Sequence, residues 1–263
     1  MPSTIDHLRE LYRHRELLVS LTFRQFHARY KQSVLGLGWA VFKPIATVSI
    51  FTVVFSVIAK FPSDGIPYPL FAFGALLPWT LFNTAVSAGV PSMVNQANLV
   101  AKIYLPREIL PLSTIIAASV DFVIALAVFV PVMLYYGVDV TWNILWAVPI
   151  LLITTLFTFG LVLFLSLANV WFRDVSHAMS FILQFWMYLT PIIYPLSMVP
   201  ERYRLLYGLN PMVGLVEGFR DVVLKGTPPP LDLLGISTVM AVVTFWFGYK
   251  LFKEREYQFA DVI

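Results

Sequence analysis

Long apolar stretches alternate with short polar segments along almost the whole chain. A helix needs about 20 mostly apolar residues to cross the ~30 Å hydrocarbon core of a bilayer. Six stretches reach or approach that length, and the fifth is the shortest. They cover residues 34–59, 68–94, 108–136, 143–170, 177–194 and 232–252. The pattern therefore predicts an all-α polytopic membrane protein with six transmembrane helices.

The first 33 residues follow a different pattern. Apolar residues recur there at three- and four-residue steps among Arg, His and Glu, which is typical of an amphipathic helix. They are Ile5, Leu8, Leu11, Tyr12, Leu18, Phe26 and Tyr30. Such a basic helix suits either anionic lipid headgroups or a cytoplasmic partner protein. The segment lacks an apolar core of its own, so we do not expect a cleavable signal peptide.

Residues 195–231 form a connection that is longer than two neighbouring helices require. Pro200 is placed to begin one short helix, and Asn210 as N-cap with Pro211 as first residue is placed to begin a second. On the second helix, one face carries Met212, Leu215, Val216, Phe219, Val222 and Val223, and the other carries Glu217, Arg220 and Asp221. At about 14 residues it is too short to span. Two interpretations are open: short re-entrant helices, which we favour, and an external helix lying flat.

Composition and charge agree with a membrane chain and give it an orientation. Hydrophobic residues make up 59% and charged residues only 13%, against about 25% charged in soluble domains, which argues against an ordinary soluble enzyme. Without cysteine there is neither a disulfide nor a thiolate site. Of the 18 Lys and Arg residues, twelve fall on the side of the N terminus and five on the other side, and Lys43 lies within the first stretch. The positive-inside rule then predicts that both termini are cytoplasmic.

No recognisable catalytic or nucleotide-binding motif occurs in the sequence. The pattern of a phosphate-binding loop is absent, as are the zinc-protease pattern H-E-x-x-H and the nucleophile-elbow pattern G-x-S-x-G. The histidines are too scattered for a compact metal site. We therefore expect no catalytic residue, no metal and no cofactor on this chain.

Two charges fall well inside predicted spans, away from their ends, where an unpaired charge is costly. Asp121 lies near the middle of the third span and Lys43 about a third of the way along the first. We expect Asp121 to face the bundle interior, where a structural hydrogen bond is favoured over a transport role. Lys43 is expected to reach towards the cytoplasmic interface.

Aromatic residues are abundant in the first and fifth predicted spans. They are Trp39, Phe42, Phe51, Phe55, Phe185, Trp186, Tyr188 and Tyr194. The common use of such residues is packing or contact with lipid. The alternative is a transport path, since flat rings with polar tips suit the C–H faces of sugars.

Two cytoplasmic connections are candidates for contact with another chain. The loop at 95–107 is longer than a simple turn needs, and the short segment 169–175 places aromatic, cationic and anionic groups side by side.

Six segments in order, spread over nearly the whole chain, resemble one known family. They are residues 26–39 (FHARYKQSVLGLGW), 102–113 (KIYLPREILPLS), 169–175 (NVWFRDV), 190–195 (TPIIYP), 210–212 (NPM) and 259–263 (FADVI). The chain is similar to the permease subunit of type-2 ABC exporters that move polysaccharides, the group that includes O-antigen and teichoic acid export permeases. The missing phosphate-binding loop agrees with a family whose ATPase is a separate subunit.

The resemblance implies a complex of two permease copies and two phosphate-loop ATPase subunits, with ATP and Mg²⁺ on the ATPase. It implies a cytoplasmic interface helix over residues 1–33, followed by a six-span domain over 34–263 with a cytoplasmic tail at 253–263. The expected cargo is a polysaccharide such as O-antigen, carried on a lipid, across the bacterial inner membrane. Membrane lipid is an expected partner and nucleic acid is not.

The resemblance also implies roles for particular residues. Interface-helix residues are Arg24, Arg29, Tyr30 and Lys31. ATPase-coupling residues are Asn98, Leu99, Lys102, Tyr104, Pro106 and Arg107 in the coupling loop, with Arg173 and Asp174 in the second connection. Outer-gate residues, within the region 195–231, are Asn210, Pro211, Glu217, Arg220 and Asp221. The aromatic residues named above are the candidates for lining a glycan channel.

Two alternatives stay open. One is a self-contained secondary transporter or channel, which would need substrate and ion sites of its own near the midplane, commonly within repeated halves. The sequence shows no convincing internal repeat, and Asp121 has no counterpart in the second half. The other alternative is a type-2 ABC exporter of small molecules.

Overall fold

A computed structural model of the chain describes residues 12–31, 33–102 and 105–258. Within these ranges the regular secondary structure is entirely helical. In chain order the α-helices are α1 (Arg15–Tyr30), α2 (Gly38–Phe51), α3 (Tyr68–Gly89), α4 (Ser92–Asn95), α5 (Ala97–Lys102), α6 (Ile109–Tyr135), α7 (Ala147–Trp171), α8 (Asp174–Tyr188), α9 (Glu201–Gly208), α10 (Pro211–Arg220) and α11 (Leu231–Arg255). Two π-helical segments continue α2 and α10, over Thr52–Ile58 and Asp221–Lys225 respectively.

Among the described residues, five helical segments are long and apolar enough to cross a membrane. They are Gly38–Ile58, Tyr68–Gly89, Ile109–Tyr135, Trp142–Trp171 and Leu231–Arg255. They coincide with five of the six predicted stretches. At the fifth stretch, predicted over 177–194, the structure has only the 15-residue helix α8, which is about 22 Å long. The helix ends before Pro191, because a residue that precedes proline disfavours the α conformation. A sixth crossing therefore stays a prediction.

Helix α3 is the centre of the protomer. Burial within the chain covers 78% of its most apolar 18-residue window, against 6% for the window in α2. Phe71, Phe82, Leu70 and Leu77 on α3 are each at most 1% exposed. Helices α6, α7 and α10 pack around it. An apolar helix that is hydrophobic on all sides needs such a central position, whereas α2 has most of its surface uncovered.

Helix α1 packs lengthwise against the first half of α6. Leu21 is buried in one cluster with Ile109 and Leu110 of α6, and Tyr30 at the other end of α1 reaches Asp121. Tyr12, which the sequence pattern assigns to the apolar face, is 69% exposed. The residue that anchors the helix is therefore Leu21, and a position of α1 along the membrane surface stays a prediction.

Helices α7 and α11 approach each other so closely that only glycine fits at their crossing. A Cβ atom added at Gly160 would lie 2.3 Å from the Cα atom of Phe245, and one added at Gly248 would lie 2.1 Å from the carbonyl oxygen of Gly160. Small residues allow this backbone contact, which is a common way of packing membrane helices.

Gly160→Ala should therefore destabilise the protein by about 1–3 kcal/mol, because its methyl group meets backbone that has to shift. The matched control is Gly235→Ala in α11, where an added Cβ atom meets no atom within 4 Å; we expect it to be neutral or slightly stabilising. Thermal unfolding of the purified variants in mild detergent measures the difference. Equal melting temperatures for the two variants would contradict this close crossing.

Candidate functional site

Helix α10 lies inside the protomer. All ten of its residues, Pro211–Arg220, are buried, and α3, α7 and α11 surround it. At Gly214 the backbone comes so near to α11 that an added Cβ atom would lie 2.4 Å from the carbonyl oxygen of Leu233. The flat external helix is therefore wrong for this segment. Glu217 and Arg220 on the predicted charged face are buried with the rest of the helix.

Asn210 joins the start of α10 to the end of α8. Its Oδ1 atom accepts a hydrogen bond from the backbone N–H of Met212 at 3.1 Å, which is the predicted N-cap. The same atom accepts a hydrogen bond from the indole N–H of Trp186 at 2.8 Å. Its Nδ2 atom donates to the carbonyl of Leu189 at 3.0 Å and to the hydroxyl of Thr190 at 3.1 Å. One side chain thus caps α10 and satisfies groups that the end of α8 leaves free.

Arg220 fixes the other end of α10. The side chain is fully buried, and its guanidinium group donates a hydrogen bond to the carbonyl of Pro191. The guanidinium carbon lies 3.8 Å from the ring centroid of Phe71 in α3, and Nη1 lies 3.3 Å from a carboxylate oxygen of Glu217. A buried arginine needs such partners, since burying an unpaired charge is costly. Arg220 therefore connects α10, α3 and the turn that follows α8.

Asp221 completes this charged cluster. It forms an ion pair with Lys225 at 2.7 Å, within the π-helical continuation of α10. We call Glu217, Arg220, Asp221 and Lys225 the outer charge cluster, after the outer gate that is predicted for this region. The cluster has two acidic and two basic side chains, so its formal charges balance.

Asp121 is paired as well, which accounts for a charge in the middle of a spanning helix. One carboxylate oxygen accepts a hydrogen bond from the hydroxyl of Tyr30 at 2.7 Å, and the other accepts from the guanidinium group of Arg29. Burial and the hydrogen bond to Asp121 raise the pKa of Tyr30, so its hydroxyl keeps the proton that it donates. The end of α1 therefore supplies both partners of Asp121, and a position facing the interior of the transmembrane bundle stays a prediction.

A third buried pair lies near the end of the chain. Glu108, just before α6, is 1% exposed, and its carboxylate lies 2.7 Å from Nζ of Lys253 in α11. The sequence analysis did not single out this pair, because nothing local connects two residues so far apart in sequence. Glutamate is rarely buried without a partner, so a glutamate at the start of a predicted span was the available signal for such a pair.

The candidate coupling residues fall into two environments. Asn98 is exposed on α5 and Leu99 is half-buried, whereas Pro106 is buried and Arg107 half-buried before α6. Arg173 and Asp174 are exposed at the start of α8. Tyr104 and the side chain of Lys102 lie outside the described part of the chain.

The second connection has a defined shape. Asn169 is 2% exposed and accepts a hydrogen bond from the backbone N–H of Ser176 at 3.0 Å. The turn between α7 and α8 presents Trp171 and Phe172 outwards, with Phe172 72% exposed. Rigidly held aromatic and charged side chains at an exposed turn are suited to contact with another chain.

The four predicted interface-helix residues also fall into two environments, half-buried and exposed. Arg29 and Tyr30 are half-buried at Asp121, while Arg24 and Lys31 are exposed. Only the first two are thus used within the protomer.

The aromatic residues predicted to line a glycan channel lie in different environments. Trp186 and Tyr194 hold structural hydrogen bonds, the second to Tyr207 at 2.6 Å. Phe51 and Phe55 pack beside Tyr68, Phe71 and Ala72. Three others, Phe42, Phe185 and Tyr188, are 50% or more exposed, and Trp39 lines a cavity between α2, α3 and α6.

No metal centre is formed by the described residues, which contain no group of three His, Asp or Glu side chains able to hold an ion. Together, the spanning helices and the paired internal charges define a polytopic helical membrane protein.

Comparison with known proteins gives the family. Residues 16–224 match the family described as ABC-2 type transporter, and the chain belongs to this family. It is 32% identical over 259 residues to the O-antigen export system permease protein RfbA of Myxococcus xanthus, which covers 97% of this chain and 98% of that protein.

Two further relatives are similar over nearly their full lengths. The Klebsiella pneumoniae protein of the same name is 28% identical over 249 residues, covering 94% of this chain and 95% of the relative. The polysialic acid transport protein KpsM of Escherichia coli is 26% identical over 251 residues, covering 90% and 92%. The resemblance inferred from the six sequence segments is thereby confirmed.

Arg220→Met should lower the free energy of unfolding by about 3–5 kcal/mol, because the variant leaves Glu217 buried beside fewer positive charges. The matched control is Arg204→Met, since Arg204 is 44% exposed and lies 3.8 Å from Glu201; its loss should cost less than about 1 kcal/mol. Thermal unfolding in detergent compares the two. A small effect of Arg220→Met would contradict a joining role for Arg220.

Arg29→Gln and Asp121→Asn should each lower the free energy of unfolding. The loss in the double variant should be smaller than the sum of the two single losses by about 0.5–3 kcal/mol. Unfolding in mixed micelles with rising sodium dodecyl sulfate measures this cycle. The control cycle uses Lys250 and Glu254, an exposed pair at 4.0 Å, whose substitutions we expect to be additive to within about 0.5 kcal/mol. Additivity at Arg29 and Asp121 would show that the two residues act independently.

Proposed function

We propose that this chain is the pore-forming permease subunit of an ATP-driven exporter that moves a polysaccharide, such as O-antigen, out across the cytoplasmic membrane. The observation that carries the proposal is similarity over nearly the full length to permeases named for O-antigen export and polysialic acid transport. Five spanning-length helices agree with a transport role. Lipid linkage of the glycan and a bacterial inner-membrane location belong to the same proposal.

In this proposal two copies of the chain enclose the path. The uncovered surfaces support this, because α2 is little buried and α8 buries only Met179 and Leu183. Phe42 on α2 and Phe185 on α8 are exposed aromatic side chains on these surfaces. A second copy apposed to them would give a passage flanked by aromatic rings, whose flat faces suit sugars.

ATP hydrolysis is assigned to a separate subunit. The sequence has no phosphate-binding loop, and the turn with Phe172, Arg173 and Asp174 offers an exposed contact for that subunit. The loop 95–107 provides a second contact. Movements of the ATPase would reach the spanning helices through α5 and α8, since these short helices directly precede α6 and follow α7.

The region between α8 and α11 is proposed as the outer gate, with both chain termini cytoplasmic. In this arrangement α8 and the turn after it complete a sixth crossing, and α9 and α10 form a re-entrant pair. The burial of α10 inside the protomer supports the pair. Asn210 and the outer charge cluster would then set the position of the gate.

Deleting the gene in its own bacterium tests the proposal. Surface polysaccharide should be lost and glycan should accumulate in the cytoplasm, and the wild-type gene should restore export. Arg173→Glu should abolish both export and co-purification of the ATPase, because charge reversal at a contact repels the partner. The matched control is Arg202→Glu on the opposite side, where an exposed arginine should be replaceable without loss of the co-purifying ATPase.

Three outcomes would count against the proposal. Unchanged surface polysaccharide after deletion would contradict glycan export and favour a small-molecule cargo. Intact-complex mass measurement that recovers the chain without an ATPase would favour an autonomous transporter. Equal behaviour of Arg173→Glu and Arg202→Glu would remove the second connection from the coupling contact.

A further inference from the structure

A cavity of about 380 Å³ lies between α1, α2, α3 and α6. Its polar lining comes from Arg29, Tyr30, Lys43, Thr47, Thr80, Thr84 and Asp121. Trp39, Phe73 and Leu77 supply apolar wall. The cavity thus combines a charged part with an apolar part, as a site for an amphiphilic molecule does.

The charges on the cavity do not cancel. Asp121 uses both carboxylate oxygens on Tyr30 and Arg29. The second guanidinium nitrogen of Arg29, Nη2, is buried and has no hydrogen-bond partner among the described residues. Lys43 forms no ion pair within the ranges that the structure covers. Arg29 and Lys43 thus both line a cavity whose single acid is already paired, and the remaining positive charge favours an anionic ligand.

Lys43 is placed where an anionic headgroup would lie. It lies five positions after Gly38, the first residue of α2, and therefore about 8 Å along this helix. Trp39, Lys43 and Thr47 follow one another at four-residue steps and share one face of α2. An unpaired lysine charge about 8 Å along a membrane-spanning helix is energetically costly unless an anion or water compensates it.

The neighbouring surface suits hydrocarbon chains. Helix α2 is only 6% buried over its apolar window, and Ile45, Ile50 and Val53 are exposed on it. Lys43 itself is exposed at the cavity. An anionic group in the cavity could thus be attached to apolar chains that lie against α2.

We propose that this cavity binds the phosphate group of a membrane lipid, with Lys43 as its ligand and the positive charge of Arg29 beside it. Phosphate matches this site, since an ammonium group binds phosphate oxygens through charge-assisted hydrogen bonds and Arg29 adds a second positive charge. The lipid is either a resident glycerophospholipid or the carrier of the exported glycan. The second source rests on the proposed function, and the first does not.

Binding of four lipids to the intact complex tests the proposal. The full-length chain, purified with its ATPase partner in mild detergent, is titrated without ATP and bound lipid is measured by native mass spectrometry. The probes are phosphatidylglycerol, diacylglycerol with the same acyl chains, a polyprenyl phosphate and the matching polyprenol. We expect at least one phosphate lipid to bind about tenfold more tightly than its phosphate-free counterpart, the difference expected of charge-assisted contacts.

Variants of Lys43 tie the binding to this cavity. Lys43→Gln should remove most of the tenfold preference, and Lys43→Arg should keep it, because the charge is retained. The matched control is Lys60→Gln, at the other end of the same spanning segment, which should bind like the wild type. Lys43 and Lys60 are both exposed, so neither substitution disturbs the core.

The outcomes separate the sources and can overturn the site. Preference for phosphatidylglycerol alone identifies a resident lipid, and preference for polyprenyl phosphate alone identifies a glycan carrier. Equal binding with and without phosphate, or equal behaviour of Lys43→Gln and Lys60→Gln, overturns the proposal. Because the binding measurement involves neither ATP nor export, unchanged surface polysaccharide after gene deletion, together with a retained phosphate preference, would count against the proposed function only.

Discussion

A charge inside a membrane-embedded protein must find a partner, and the arrangement of this protomer depends on that constraint. Removing one partner of a buried ion pair costs several kcal/mol. Glu108 meets this need with Lys253, and Asp121 meets it with Arg29. Arg220 uses a backbone carbonyl, an aromatic ring and Glu217. The first two pairings join elements that are distant in the chain, so the charges fix which helices become neighbours.

Between these charged contacts, apolar packing is concentrated on one helix. Helix α3 is buried from one end to the other, whereas the apolar surfaces of α2, α8 and α11 stay largely uncovered. Apolar surface by itself does not bring helices together in lipid, because lipid tails are equally apolar. The close crossing at Gly160 and Gly248, together with the ion pairs, therefore determines the assembly, and the uncovered helices remain available to lipid or to other chains.

The sequence predicted the features that depend on local pattern. Five spanning helices follow from the lengths of apolar stretches, and the start of α10 follows from Asn210 and Pro211. The partner of Asp121 could not be predicted, because it depends on how α1 packs along α6. The partners of the charged residues on α10 were equally hidden, since the contact of Arg220 with Phe71 depends on how α10 packs against α3.

The contacts at the two ends of α10 constrain any movement of this region. Asn210 holds the end of α8 to the start of α10, and Arg220 holds the carbonyl of Pro191 to its last turn. The turn after α8 is also tied to α3, because the hydroxyl of Tyr68 donates a hydrogen bond to the carbonyl of Ile193 at 2.9 Å. Separating these elements would leave buried polar groups unsatisfied, which is costly. An opening movement that preserves the contacts must therefore carry α10, the end of α8 and the adjoining part of α3 together.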